Sequence, residues 1–228
     1  MVERRDAVRR NKQKLIANRV EITHLAARRK WNITERSRQK SVIHGTTSIA
    51  YAIISQKARI HLIVVRKLVE DDAAPYWSLR LEALEREPRS FGMTPAEHRL
   101  ITLEEIVTQI LKPGSFFVGA FDGETLVGIA RFAREPREKE SHKGHVYGVY
   151  VTASHRGRGI ARSLIATIIA EIKSDPSCEQ LLLSVGTFNT AARAAYLAMG
   201  FVPYGIEPRA LKAGDEYIDE EHMCLRLS

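Results

Sequence analysis

The chain has 228 residues, room for one well-cored domain plus an extension, or for two small domains. With 44% hydrophobic and 27% charged residues it reads as globular; no apolar run reaches bilayer length, and no apolar N-terminal stretch predicts a secretory signal. The net charge of +8 is unevenly spread: residues 1–60 hold 15 of the 35 Lys and Arg and 4 of the 27 Asp and Glu, leaving 20 basic against 23 acidic residues in the remainder.

Residues 1–60 therefore read as a basic, poorly ordered N-terminal extension without sustained periodicity. Four accounts of it stay open. It is a solvated tail, the result of a start placed too far upstream of Val64, a phosphate-binding arm, or a targeting segment that is Arg-rich but poor in Ser. Nucleic acid would be held only here, and Trp31 is the one aromatic residue before Tyr51, so stacking platforms are scarce.

Ile60–Leu68 is rich in branched apolar residues and predicts a strand. Asp71 and Asp72 start a helix in which Tyr76, Leu79 and Ala83 share a face, ending before Pro88. Thr94-Pro95-Ala96-Glu97 is a capping box, and it predicts a second helix running to about Leu111. Ser115–Phe121 and Thr125–Ala133 flank Asp122-Gly123 as a hairpin. His145–Thr152 is a strand, Gly159–Lys173 a helix, Leu181–Thr187 a strand, and Asn189–Met199 a short helix closed by Gly200. Strands near Phe201–Gly205 and Tyr217–Leu227 complete a mixed α/β sheet flanked by helices. The loop from Pro136 to Lys143 is charged, and no internal repeat is present. Cys178 and Cys224 make neither a disulfide framework nor a metal-ligand spacing, which suits reduced thiols in a cytoplasmic protein.

The most informative stretch is His155-Arg156-Gly157-Arg158-Gly159-Ile160-Ala161, between a strand and a helix. Free N–H groups at a helix start, with the dipole behind them, favour an anion. Gly157 and Gly159 let the backbone curl around a phosphate, and Arg156 and Arg158 bring positive charge. A Rossmann site would need a third glycine where Arg162 stands, and a Walker site needs Gly-Lys-Ser/Thr, which is absent.

Arg156 to Ala161 resembles the Arg/Gln-x-x-Gly-x-Gly/Ala motif of the GNAT (Gcn5-related) N-acetyltransferase superfamily. Asn189-Thr190-Ala191-Ala192-Arg193-Ala194-Ala195-Tyr196, followed by Gly200-Phe201, is similar to the second signature of that family, with Ala195 where Leu is usual. The resemblance covers about residues 62–228. It implies a mostly antiparallel sheet of six to seven strands with about four helices. It also implies acetyl-CoA as donor and a primary amine as acceptor, small molecule or peptide N-terminus, joined by direct attack through a tetrahedral intermediate, with no metal.

The resemblance also assigns residues. Pyrophosphate would lie on the N–H groups from Arg156 to Ala161. The main chain of Val149 and Val151 would bond to pantetheine, Asn189 would lie near the CoA arm, and Tyr196 would protonate the departing thiolate. Val146 to Tyr150 carries no carboxylate, so His145, His142 or a water chain is left as the base, and Tyr147 and Tyr150 either line the acceptor pocket or orient water. Phe91-Gly92-Met93 and Glu207–Lys212 are expected on the acceptor side, and the slightly acidic domain favours a cationic amine. Homodimers are common in the family, but no residue here fixes one. A CoA-binding sensor without turnover is the alternative from another class.

Overall fold

The computed structural model describes residues 62–227. The expectations for the basic N-terminal extension lie outside them. Within them the sheet is formed by β1 (Ile63–Lys67), β2 (Ser115–Asp122), β3 (Thr125–Arg134), β4 (Lys143–Val151), β5 (Gln180–Gly186), β6 (Val202–Ala213) and β7 (Glu216–Arg226). The strand order is β1-β2-β3-β4-β5-β7-β6. Only β4 and β5 run parallel; the other neighbours are antiparallel. The helices are α1 (Ala73–Arg86), α2 (Pro95–Arg99), α3 (Leu103–Ile110), α4 (Ile160–Ile172) and α5 (Thr190–Ala198). This is the mixed, mostly antiparallel architecture expected, with one helix more.

The extra helix comes from splitting the stretch expected to run unbroken to Leu111. Thr94 caps α2, its backbone N–H donating to the Glu97 carboxylate at 2.7 Å. Eight residues on, Thr102 does the same with Glu105 at 2.8 Å and opens α3. The second Thr-x-x-Glu is as good a start signal as the first, and a new cap ends the preceding helix. The start of α1 is held differently. Asp72 accepts two bonds from the Arg66 guanidinium, at 2.6 and 2.8 Å, and a third from the Val69 N–H at 2.8 Å. Those bonds hold its carboxyl below the usual carboxylate range, and burial opposes them.

The two faces of the sheet carry separate apolar cores. On one, α4 contributes Ile160, Leu164, Ile165 and Ile168, which pack on Val118, Val151, Leu181 and Val185, with Tyr196 and Phe201. On the other, Tyr76, Leu79 and Ala83 of α1 and Ile106 of α3 cover Phe117, Ile129 and Tyr150. The period-two alternation of the strands sends neighbouring side chains to opposite cores. The last hairpin is longer than expected, and Glu207 to Lys212 belongs to β6. Its register slips between Glu207 and Leu211, where Arg209 takes φ 57° and its N–H donates to Asp219 at 2.7 Å.

Candidate active site

Strands β4 and β5 pair only over three positions, Lys143 with Gln180 through His145 with Leu182, and beyond these they separate. On its other edge β4 stays bound to β3, but the register steps from Arg131–Tyr147 to Ile129–Tyr150. Gly148 and Val149 therefore form a bulge, with Gly148 at φ 61°. The result is an open wedge between Val146–Val151 and Leu183–Gly186. Val149, Val151, Ile160 and Tyr196 meet in one apolar cluster beside it.

Where β4 ends, a short 3-10 turn, Ala153–His155, leads into the expected cradle. Gly157 and Gly159 take φ 74° and 75°, a conformation that favours glycine, and a Cβ at either would meet nothing within 4 Å. The first bond of α4 is from the Ser163 N–H to the Gly159 carbonyl at 3.0 Å. No backbone N–H from Gly157 to Arg162 has a partner among the described residues. A run of free donors at the N-terminus of a thirteen-residue helix, open to solvent, fits a diphosphate.

The two arginines of the cradle differ. Arg158 is exposed, with one weak bond to the Ser154 carbonyl at 3.3 Å. The Arg156 side chain, expected to reach phosphate, turns back instead: Nε donates to the Val151 carbonyl at 2.9 Å and Nη2 meets Glu87 at 2.8 Å. That also occupies the Val151 carbonyl, one of the main-chain groups expected to face pantetheine. His155, in the same turn, pairs with Asp122 at 3.1 Å.

Tyr196 is buried, and burial alone pushes its phenol up to about 12. Its hydroxyl makes no hydrogen bond among the described residues. Asn189 caps α5, its Oδ1 accepting from the Ala192 N–H at 3.1 Å. Of the candidate bases, His145 lies 2.8 Å from Glu135 and stacks on Tyr147 at 5.4 Å. Burial lowers its pKa against the pull of Glu135. His142 sits where β4 and β5 join, its carbonyl accepting from the Glu179 N–H at 2.8 Å. Tyr150 is buried rather than pocket-lining: its hydroxyl donates to Glu82 at 2.8 Å, and burial with that carboxylate pushes it up to about 12.

On the α1 face, sequence reading named Tyr147 and Met93 but missed the groups beside them. A pocket of about 100 Å³ borders Gly148 and is lined by Tyr76, Arg80, His98, Arg131 and Tyr147, with Met93 of the expected interhelical loop. The available signal was Arg131 inside the apolar run Val-Gly-Ile-Ala-Arg-Phe-Ala, and Arg80 beside the buried stripe of α1. A larger cavity, about 630 Å³, lies over β5, β6 and β7 near Leu182, Val202 and Cys224, and includes none of the cradle.

A wedge in a mixed sheet, with free amides at its mouth and a buried phenol at its side, fits an elongated ligand that carries phosphate. A family model for the acetyltransferase (GNAT) family matches residues 77–201, and the chain belongs to that family. It is 32% identical over 101 residues to N-alpha-acetyltransferase RimI of Mycobacterium tuberculosis, covering 44% of this chain and 61% of that protein. It is 31% identical over 94 residues to N-acetyltransferase 8 of Homo sapiens, covering 40% of each. The match thus spans less than two thirds of either relative. Among solved structures, the GNAT acetyltransferase of Streptococcus pneumoniae superposes with a TM-score of 0.66 at 22% identity, over 72% of this chain and 99% of that one. A GNAT phosphinothricin acetyltransferase from Sinorhizobium meliloti, solved with AcCoA, gives 0.63 at 18% identity, over 73% and 89%. These likenesses carry the fold.

Proposed function

We propose that residues 62–227 bind acetyl-CoA and transfer its acetyl group to a primary amine. The observation behind this reading is the run of unpartnered N–H groups from Gly157 to Arg162 at the mouth of the β4–β5 wedge. Those amides and Arg158 hold the pyrophosphate, and the edge of β4 near Val149, unpaired with β5, guides pantetheine inward. Asn189 keeps α5 in place through its cap. The acetyl-CoA-bound relative and the family match support this assignment.

Attack by a neutral amine on the thioester carbonyl forms the C–N bond, and collapse of the tetrahedral intermediate breaks C–S. Tyr196 gives its proton to the departing sulfur. Burial raises the pKa of a thiol as well as that of a phenol, so the match between them survives the shift. His145 donates Nε2–H to Glu135, which leaves the Nδ1 lone pair to take the amine proton through water; its lowered pKa keeps that nitrogen unprotonated at neutral pH. We place the enzyme in the cytoplasm, where the free thiols Cys178 and Cys224 stay reduced. Among the described residues no helix is long and apolar enough to cross a membrane.

The test is free-thiol release from acetyl-CoA against a panel of amino acids, polyamines, aminoglycosides and peptide N-termini, with CoA affinity by calorimetry. Turnover with at least one amine is expected. Tight CoA binding with no turnover on any of them would point to a sensor, and no affinity for CoA would end the reading.

A further inference from the structure

Arg80 and Arg131 line the same small pocket, and each has a buried nitrogen, Nη1 and Nε respectively, with no hydrogen-bond partner. Neither guanidinium forms an ion pair with any described residue. Each lies over an aromatic face, Arg80 over Phe91 at 4.4 Å and Arg131 over Phe117 at 5.1 Å. Those faces offset some lost hydration and leave the N–H edges unsatisfied. Burial lowers the pKa of Arg80. The other groups facing the pair are the phenols of Tyr76 and Tyr147 and the buried imidazole of His98. Glu135 is close enough to act on Tyr147, but it is bonded to His145.

Two like charges facing one cavity of about 100 Å³ repel each other and lack acceptors. Water would satisfy N–H groups but would not balance the charge. A carboxylate does both, because its two oxygens accept in the fork geometry of guanidinium. The volume leaves room for the carboxylate and a few further atoms. Gly148 joins this pocket to the wedge: its left-handed φ of 61° shapes the β4 bulge, and a Cβ there would lie in ordinary contact with Arg80 Nη1, 3.5 Å away, so the guanidinium sits close against that bulge.

Resting on the acetyltransferase reading, we propose that this pocket binds a carboxylate of the acceptor, so that the acetylated amine belongs to an amino acid or to an acidic peptide. The slight acidity of the domain as a whole does not set acceptor choice; the local charge at the pocket is positive. Arg80 and Arg131 act as specificity-determining residues, and their contribution falls in KM.

The experiment uses the full chain and matched acceptors: L-lysine with cadaverine, L-phenylalanine with 2-phenylethylamine, and an aspartyl peptide amide with its asparaginyl counterpart. At least a tenfold preference in kcat/KM is expected for the carboxylate member of one class. Preference among the free amines would identify an amino-acid acceptor, and preference among the peptides an acidic peptide. R80M and R131M should bring the ratio within a pair close to one, and R131K should restore part of it. Equal or faster turnover of the carboxylate-free members would overturn the proposal, as would a preference that survives both substitutions. If either variant fails to fold, the wild-type ratios still decide. Saturation-transfer NMR with the CoA-loaded chain reads binding without turnover. Selective binding of carboxylates with no acetylation would sink the enzyme reading alone, and acetylation with no selectivity would sink this inference alone.

Discussion

On the α4 face, anion donors are backbone N–H groups, freed by two glycines at positive φ and a helix start. On the α1 face, they are the side chains of Arg80 and Arg131, held over aromatic rings without an acceptor. Backbone donors carry no net charge and do not depend on which side chains surround them. Side-chain donors bring full charges whose cost is met only when an anion arrives. The first arrangement suits a constant cosubstrate, and the second suits a choice among acceptors.

The largest effect that separates chemistry from binding should come at Tyr196. Tyr196→Phe removes the proposed proton donor while keeping the ring against Phe201, 6.0 Å away. The expected loss is ~100- to 10,000-fold in kcat with CoA affinity unchanged, checked by steady-state kinetics and calorimetry. A parallel loss of CoA affinity would mean that the phenol only fills the core. The cradle should show the opposite pattern. Neither Gly157 nor Gly159 has an atom within 4 Å of an added Cβ, so alanine there acts through φ and not through a clash. A left-handed non-glycine residue costs roughly 1–2 kcal/mol, so each Gly→Ala variant should bind CoA about tenfold more weakly, with acceptor preference retained.

That contrast also explains what was legible in the sequence. A backbone cradle needs glycines at fixed spacing between a strand and a helix, so Gly157 and Gly159 stand out in the chain itself. Tyr196 and Asn189 stand out in the sequence because a signature spacing ties them to the body and the cap of one short helix. Arg80 and Arg131 are 51 positions apart, and only the packing of α1 on β3 brings them to one pocket. No local spacing encodes that. The split between α2 and α3 was written in Thr102 and Glu105 but masked by the equivalent box eight residues earlier at Thr94. The turn of Arg156 away from the cradle was not legible, because it depends on Glu87 of a distant segment.

A smaller effect distinguishes the two arginines of the cradle. Arg158 has one weak contact, so Arg158→Met should weaken CoA binding a few-fold, more at low salt than at high, with stability unchanged. Arg156 braces the end of β4 against Glu87 through a partly exposed pair, so Arg156→Met should cost about 0.5–1 kcal/mol in urea unfolding. Its effect on CoA affinity should be less than that at Arg158. The reverse order in affinity would return Arg156 to the phosphate.

The subtlest difference between the faces lies in pH. Cradle amides do not titrate, and Tyr196 holds its proton up to about 12, so CoA affinity should be flat from about pH 7 to 9. The α1 face includes His98, which is 1% exposed, stacked on Trp77, and bonded through Nε2 to the Trp77 carbonyl at 2.9 Å. Burial is the main cause lowering its pKa; Arg80 and Arg99 add to it, and the carbonyl opposes them. In the unfolded chain His98 takes up its proton near pH 6.5, whereas in the folded chain it does so only at lower pH. Between those values the unfolded state binds more protons, so stability is full above about 6.5 and is lost as pH falls toward the folded value. Urea midpoints measured at intervals from about pH 7.5 to 5 should fall, and His98→Gln should flatten part of that decline. A wild-type slope that His98→Gln leaves unchanged would place the sensitivity elsewhere. Filling the neighbouring pocket should sharpen the distinction: a carboxylate on Arg80 offsets one of the charges that disfavour the imidazolium, so its binding should shift the decline to lower stability loss, while CoA alone should not.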